Sequence, residues 1–502
     1  MRISILTFVL AMHLACFARD TTLRAYSPAS ELASALADAE QIHAHDRATT
    51  RYLSLYAIPR DRRDEVAAVA GYTLNALSRS RAIVPPKRIT DTLLRFNIEH
   101  YTTNQTETAA WLAAWEKIAQ IDPYWHLRTE VISVGNALRG VPKLPHVVTT
   151  STRPTERHRG RSLQIETVTV PGGWTNLAVA ARLQALTGSA GAVLRADHFI
   201  TVATIPPRYY EFAGVAAKEA DFLKSLGVDA KKIEQLRANA GANLILSGVT
   251  QKPRRIIWQQ GPLGGVYSTL DVERVAAERD PIRRPLSADG LAFEYDASEW
   301  FAMRANGMWL TALYNRAGQR QDSIPERVAK DTSDPAADGI VVPLLSCIRC
   351  HREGGLRPFR DDQHSLLADG IELRSFRARD AQRAAEFYDE PRLQRQIAFD
   401  RETYSRAVAR ATAGMRPPDL ADALARTVRE FLYTPVTLEQ AAREVGADSH
   451  HKGTADILVR RFRVALSASR DPILLMLRQN RPVLRGQWES SFAEAAVLAA
   501  PP

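Results

Sequence analysis

The first apolar pattern on the chain is unbroken rather than periodic. After Met1 and Arg2, residues 3–18 (ISILTFVLAMHLACFA) run without a charge until Arg19 and Asp20 turn polar. The run falls short of the ~20 residues that cross a bilayer. Cys16 and Ala18 stand at the spacing of a cleavage site. This is the layout of a secretory signal peptide, residues 1–18, cut after Ala18. A lipoprotein reading, with Cys16 lipidated, asks for an aliphatic residue where His13 stands. No later stretch is long and apolar enough to span. The mature chain is therefore expected to be exported, periplasmic or extracellular, with no transmembrane span.

Beyond the signal, apolar residues recur mostly at helical spacing. A helical N-terminal block is expected over residues 19–150, with helices at 30–48 and 61–78. In the second of these, Val66, Val69, Ala70, Leu74 and Leu77 share one face just after Pro59. Trp111, Leu112, Trp115 and Ile118 form another stripe, and at that spacing they read as core. Leu94, Phe96 and Ile98 alternate with Arg95 and Asn97, which predicts one short strand. Pro142, Pro145 and Pro154 mark an irregular connection over 131–160. A mixed central block follows over 161–340: a strand at 163–170, a helix at 217–226, and a meander through 293–295, 308–314 and 319–324. Asn306-Gly307 and Ala317-Gly318 mark its turns. Helices return over 341–495, at 378–387, 390–409, 417–433, 438–446 and 453–466. The fold class predicted is α+β, mainly α.

Composition adds exclusions. The chain of 502 residues is 45% hydrophobic and 24% charged, which rules out a disordered, fibrous or multi-span protein. The net charge of +10 is thinly spread. The densest basic run, 153–161, contains Glu156 and Pro154 and reads as a solvated linker. No nucleic-acid-binding pattern accompanies it, so no nucleic acid partner is expected. Nucleotide-binding glycine loops, a nucleophile elbow and a zincin motif are absent from the sequence. Asp197 and His198 beside Arg195 read as a buried structural network.

Cysteine supplies the one specific signal. Of three cysteines, Cys16 leaves with the signal, and Cys347 and Cys350 stand in Cys347-Ile348-Arg349-Cys350-His351. This C-x-x-C-H pentapeptide is the attachment motif of c-type haem. Two thiols three apart on one helical turn can add to the two vinyl groups of haem, and the adjacent His351 then lies under the iron as proximal ligand. Attachment follows export, so motif and signal support one another. Three other readings remain beside it: a Cys347–Cys350 disulfide, a thioredoxin-like dithiol, and a zinc site using Cys347, Cys350, His351 and His364. The expected cofactor is one covalently bound haem c with its iron.

The sixth iron ligand decides the chemistry. Met415, in Gly414-Met415-Arg416-Pro417-Pro418 ahead of an amphipathic helix, is the candidate distal ligand. The rivals are a loop or core role for Met415 with His364, Met303 or Met308 as ligand, or an open position. Pro358 is a candidate for the carbonyl that orients His351.

The order of C-x-x-C-H, helices, a Met before prolines and a final helix resembles the soluble c-type cytochromes. That likeness implies a cytochrome c-like haem domain over 341–495. Over residues 50–490 the chain also resembles a group of large exported bacterial proteins with one haem motif in the C-terminal third. The matching stretches include Arg51 to Leu55, Leu74 to Arg79, Thr187-Gly188-Ser189, Arg195 to Phe199, Asn306-Gly307-Met308 and Ser346 to His351. That group usually carries Trp where His198 stands. The resemblance implies haem binding and electron transfer to a redox partner protein, with no catalytic residue of its own. A haem-dependent oxidoreductase, a cytochrome subunit of one, or a haem sensor with an open sixth position is the alternative.

Overall fold

A computed structural model describes residues 28–122, 127–133, 157–158, 161–162, 165–171, 177–189, 191–228, 240–247, 250–276, 279–283, 294–324, 328, 330–331, 340–356, 359–368, 378–445 and 455–499. Residues 1–18, read as a signal peptide, and Pro142, Pro145, Pro154 and Pro358 lie outside them. The architecture is α+β and mainly α, as the hydrophobic pattern predicts.

The N-terminal helices are α1 (Pro28–Gln41), α2 (Ala44–Arg47), α3 (Arg63–Leu77) and α4 (Gln105–Ile121). Val66, Val69, Ala70, Leu74 and Leu77 are all buried on α3, the face the periodicity selected. Asn104 caps α4 by accepting from the Glu107 N–H at 3.0 Å. Trp111 and Trp115 are core: Trp111 stacks on Tyr101 with centroids 5.7 Å apart, and Phe96 meets Trp115 edge-on at 5.5 Å.

Three strands follow the same region: β1 (Thr50–Ser54), β2 (Lys87–Arg88) and β3 (Leu93–Asn97). The chain continues through β4 (Leu127–Ser133), β5 (Arg157–His158), β6 (Arg161–Ser162), β7 (Ile165–Pro171) and α5 (Leu177–Thr187). Residues 131–133, expected to be irregular, finish β4, which pairs antiparallel with β7. Then come β8 (Val193–Arg195), α6 (Ala196–Ala203), α7 (Arg208–Ala213) and α8 (Glu219–Ser225). β8 joins the first sheet parallel to β1, in the order β2-β3-β1-β8.

The second sheet is an antiparallel meander of β9 (Ala240–Leu244), β10 (Arg254–Gly261), β11 (Gly264–Asp271), β12 (Ala297–Met303) and β13 (Trp309–Asn315). The predicted Asn306-Gly307 turn joins the last two: Gly307 adopts φ +82°, and the Asn306 side chain accepts from the Met308 N–H at 3.0 Å.

The C-terminal helices are α9 (Leu345–Cys350), α10 (Asp362–Ala368), α11 (Ala378–Phe387), α12 (Glu390–Ala411), α13 (Pro417–Tyr433), α14 (Leu438–Glu444), α15 (Ala455–Ala465), α16 (Pro472–Arg478) and α17 (Arg485–Ala499). Pro417 opens α13, and Leu420, Leu424, Val428 and Phe431 are buried along one face. No helix among the described residues is long and apolar enough to cross a membrane.

One apolar core runs from Leu32 on α1 to Val428 on α13. A second gathers Phe431, Phe462, Trp488 and Phe492 from the last five helices. A buried ionic network joins the two. Glu444 receives Arg195 Nη1 at 3.0 Å, Arg485 Nη1 on both oxygens at 2.8 Å and Trp488 Nε1 at 2.6 Å. Arg195 Nη2 also meets Asp197 at 2.6 Å. Burial alone would push the Glu444 carboxyl up, but the two guanidiniums hold it down at about 2. Arg195, Asp197 and His198 therefore belong to a structural junction, as their sequence pattern suggested.

Candidate functional site

The haem-type motif lies on α9, which the sheet anchors at its start. Leu344 adopts φ +64°, and its N–H donates to Thr311 Oγ1 of β13 at 2.8 Å. Ser346 Oγ accepts from the Val342 N–H at 3.0 Å. Cys347 and Cys350 are three residues apart, so they share a face of the helix. His351 follows as the C-terminal cap, its N–H on the Cys347 carbonyl at 2.8 Å. Cys347 is buried and Cys350 half-buried, with no disulfide between them.

The turn after the motif positions the imidazole. His351 Nδ1 faces the Gly355 carbonyl at 3.1 Å, and its ring stands edge-on to Phe301 with centroids 4.7 Å apart. The carbonyl that orients His351 is thus Gly355's; Pro358, the residue expected from sequence, lies outside the described residues. Gly354 holds φ +98°, and its carbonyl accepts from Trp309 Nε1 at 3.2 Å. A Cβ on Gly355 would come within 2.9 Å of Arg401 Cγ. Gly354→Ala is expected to cost about 1–3 kcal/mol through backbone strain; urea unfolding of the two proteins measures it.

Buried charges from distant strands surround the two thiols. Arg349 Nη2 meets Asp331 at 2.6 Å, and Asp331 also lies 3.9 Å from Cys350 Sγ. On the sheet, Arg254 pairs with Asp271 at 2.5 Å and reaches Glu299 at 3.6 Å. Burial raises the Glu299 carboxyl to about 7, against the pull of Arg254 and with the push of Asp271. Burial first, then the charges of Glu299 and Cys350, push the Cys347 thiol well above its ordinary range.

Glu299 makes stability fall with rising pH. Its folded-state pKa lies above the ordinary 4.5, so its contribution is intact below pH 4.5 and is lost as pH rises through about 7. Glu299→Gln removes that penalty at alkaline pH. Denaturant titrations should show the variant more stable than the parent at pH 9 and little changed at pH 5.

These surroundings separate the readings of the cysteine pair. A dithiol redox site needs a lowered thiol pKa, and a zinc ligand needs a thiolate. Burial at Cys347 favours the neutral thiol, which weighs against both. Among the described residues no three His, Cys, Asp or Glu side chains gather to hold a metal ion. Covalent haem needs neither condition. It needs two thiols on one helical face and one imidazole whose Nδ1 is held by a carbonyl, so that Nε2 is the metal-binding nitrogen. The donors present fit that group.

The proposed sixth ligands are placed apart. Met303 ends β12 and Met308 sits in the adjoining turn, both buried in the main core. His364, on α10, puts Nδ1 2.8 Å from the Tyr388 carbonyl. Met415 is half-buried, and its N–H donates to Thr412 Oγ1 at 3.1 Å. Pro417, two residues on, packs on the His351 turn: a Cβ on Gly354 would lie 3.3 Å from Pro417 Cγ. The Met415 side chain, however, lines a cleft of about 470 Å³ with Ala67 and Ala68 of α3 and Pro85-Pro86. Cys347, Cys350 and His351 do not line that cleft.

Sequence reasoning missed Arg254, Glu299 and Asp331, which reach the motif only through tertiary packing. The Gly354-Gly355 pair is the one local feature that could have marked the His351 turn. No protein-family model, curated protein or solved structure matches the chain.

Proposed function

We propose that this is an exported mono-haem c-type cytochrome, periplasmic or extracellular, that binds one haem c and passes electrons to a redox partner protein. The supporting observation is the geometry of α9: two thiols on one face, followed at once by an imidazole held through Nδ1 by Gly355. Bound haem supplies a one-electron iron couple. Cys347 and Cys350 would hold it through two thioether bonds. His351 would offer Nε2 to the iron, with its tautomer fixed and its basicity raised by the Gly355 carbonyl on Nδ1. Phe301 and Trp309 pack beside this turn. The chain then acts as an electron carrier rather than a catalyst with its own substrate.

Met415 is the candidate distal ligand in this reading, and its thioether would raise the potential. One observation favours a second reading: the Met415 side chain lines a cleft that the motif does not. If it stays there, the sixth position is open to an external ligand, and a haem-dependent oxidoreductase, its cytochrome subunit or a haem sensor results. Optical spectra of the exported, matured protein with and without Met415→Ala separate the two. A methionine–iron charge-transfer band that disappears in the variant is expected for the carrier. A high-spin spectrum indifferent to the substitution overturns ligation by Met415.

A further inference from the structure

The thirty residues from Val459 to Trp488 hold seven arginines and one acidic residue, Asp471. Two of these charges are already used. Arg485 is buried on Glu444, and the Asp471 carboxylate caps α16 by accepting from the Ile473 N–H at 2.7 Å. Some surface arginines elsewhere pair across elements, as Arg352 does with Asp422, and others, such as Arg60 and Arg81, stand alone among the described residues; what marks this stretch is the number of cations gathered in it. Here, among the described residues, Arg460, Arg461, Arg478 and Arg481 have no ion-pair partner.

They form one face. Phe462 and Leu466 turn α15 inward, which leaves Arg460, Arg461 and Val464 on its outer side. The Arg463 guanidinium donates to Asn480 Oδ1, which brings the exposed turn of Arg478 and Arg481 against the same helix. Two aliphatic side chains of the stretch are without cover: Val464, on the side of α15 that carries Arg460 and Arg461, is 70% exposed, and Leu484, three residues after Arg481, is 61% exposed. The aromatic residues of the stretch, Phe462 and Trp488, are both buried.

We infer that this face docks on an anionic phospholipid surface, with the guanidiniums at headgroup phosphates and Val464 and Leu484 inserted beside the acyl chains. The chemistry separates this from other polyanions. Nucleic acid grooves stack bases on exposed aromatics, and specific protein interfaces concentrate aromatics at their centre. This face offers only unpaired cations and small aliphatics, the pattern of an interfacial helix. The inference is independent of the haem reading, because none of these residues touches the motif.

Flotation of the full exported chain with vesicles tests it. The first arm is phosphatidylcholine alone, and the second adds about one third phosphatidylglycerol. Binding to the anionic vesicles only, lost in high salt, is expected. A variant with Arg460→Gln, Arg461→Gln, Arg478→Gln and Arg481→Gln should lose roughly 600-fold in partitioning, since each of the four basic residues near such a surface contributes roughly fivefold. Val464→Asp, with every arginine intact, should also weaken binding. All five positions are at the surface, and unchanged circular dichroism melts certify the fold. Equal binding to both vesicle types, no binding to either, or undiminished binding by the four-arginine variant overturns the inference. So does capture by a DNA duplex or an acidic peptide without capture by anionic vesicles, which reassigns the face to that class.

Discussion

Alanine at both Cys347 and Cys350 abolishes covalent haem: this is the largest effect expected of any substitution in the chain. Neither residue is bound in a disulfide, and both lie on one face of α9, as the proposed attachment to two vinyl groups requires. Without the sulfurs, only the His351 imidazole remains to hold haem. Haem staining of the denatured protein and acid-solvent extraction read the result. Full loss of stained haem in the double variant is expected, and partial loss in each single one. Haem that resists extraction in the double variant overturns the assignment. Burial makes a mild structural cost unavoidable at Cys347, so a circular dichroism melt of the variant belongs beside the stain.

Glu444→Gln should give the largest loss of stability. It removes the one carboxylate that serves both Arg195 and Arg485 in a dry junction between the two apolar cores. Leaving a buried guanidinium uncompensated costs about 3–5 kcal/mol, a large part of the ~5–15 kcal/mol that stabilises a typical fold. The pH dependence marks the cause. The Glu444 carboxyl sits at about 2 when folded against an ordinary 4.5, so its contribution is fully present above pH 4.5 and fades as pH falls through about 2. Guanidinium unfolding at pH 7 should therefore show a wide gap between parent and variant, and the gap should narrow at pH 3. A gap that ignores pH would mean that lost packing around Trp488, not lost charge, sets the effect.

The elements that were legible in the sequence are those that bury one face. On α3 and α13 the apolar residues recur every three or four positions, and Pro59 and Pro417 mark where the helices begin. β10, β11 and β12 gave no such signal. Residues 254–261 (RRIIWQQG) are buried on both faces, and the two arginines are inside: Arg254 on Asp271 and Arg255 on Asn243. Polar residues there mark interior pairs, so alternation fails as a guide to strand. The expected third strand at 319–324 forms only isolated bridges, such as Ile324 to Val341, while the meander's true strand begins at Ala297. α16 escaped because PILLMLR is too short for its period to show.

The site divides in the same way. C-x-x-C-H is local, since one helical turn fixes the relation of its three side chains, and a sequence shows it whole. The carbonyl on His351 is four residues further on, behind two glycines whose geometry only the fold reveals. Glu299, Arg254 and Asp331 come from other strands and loops, and their effect on the Cys347 thiol depends on burial that no spacing encodes.

The most direct measurement is the intact mass of the protein exported in a host with c-type haem maturation, followed by mapping of the peptide that contains residues 347–351. A chain beginning at Arg19, heavier by one haem that is carried on that peptide, is the expected result. A chain that keeps residues 1–18, or one of bare polypeptide mass despite active maturation, contradicts the reading of this protein as an exported c-type cytochrome.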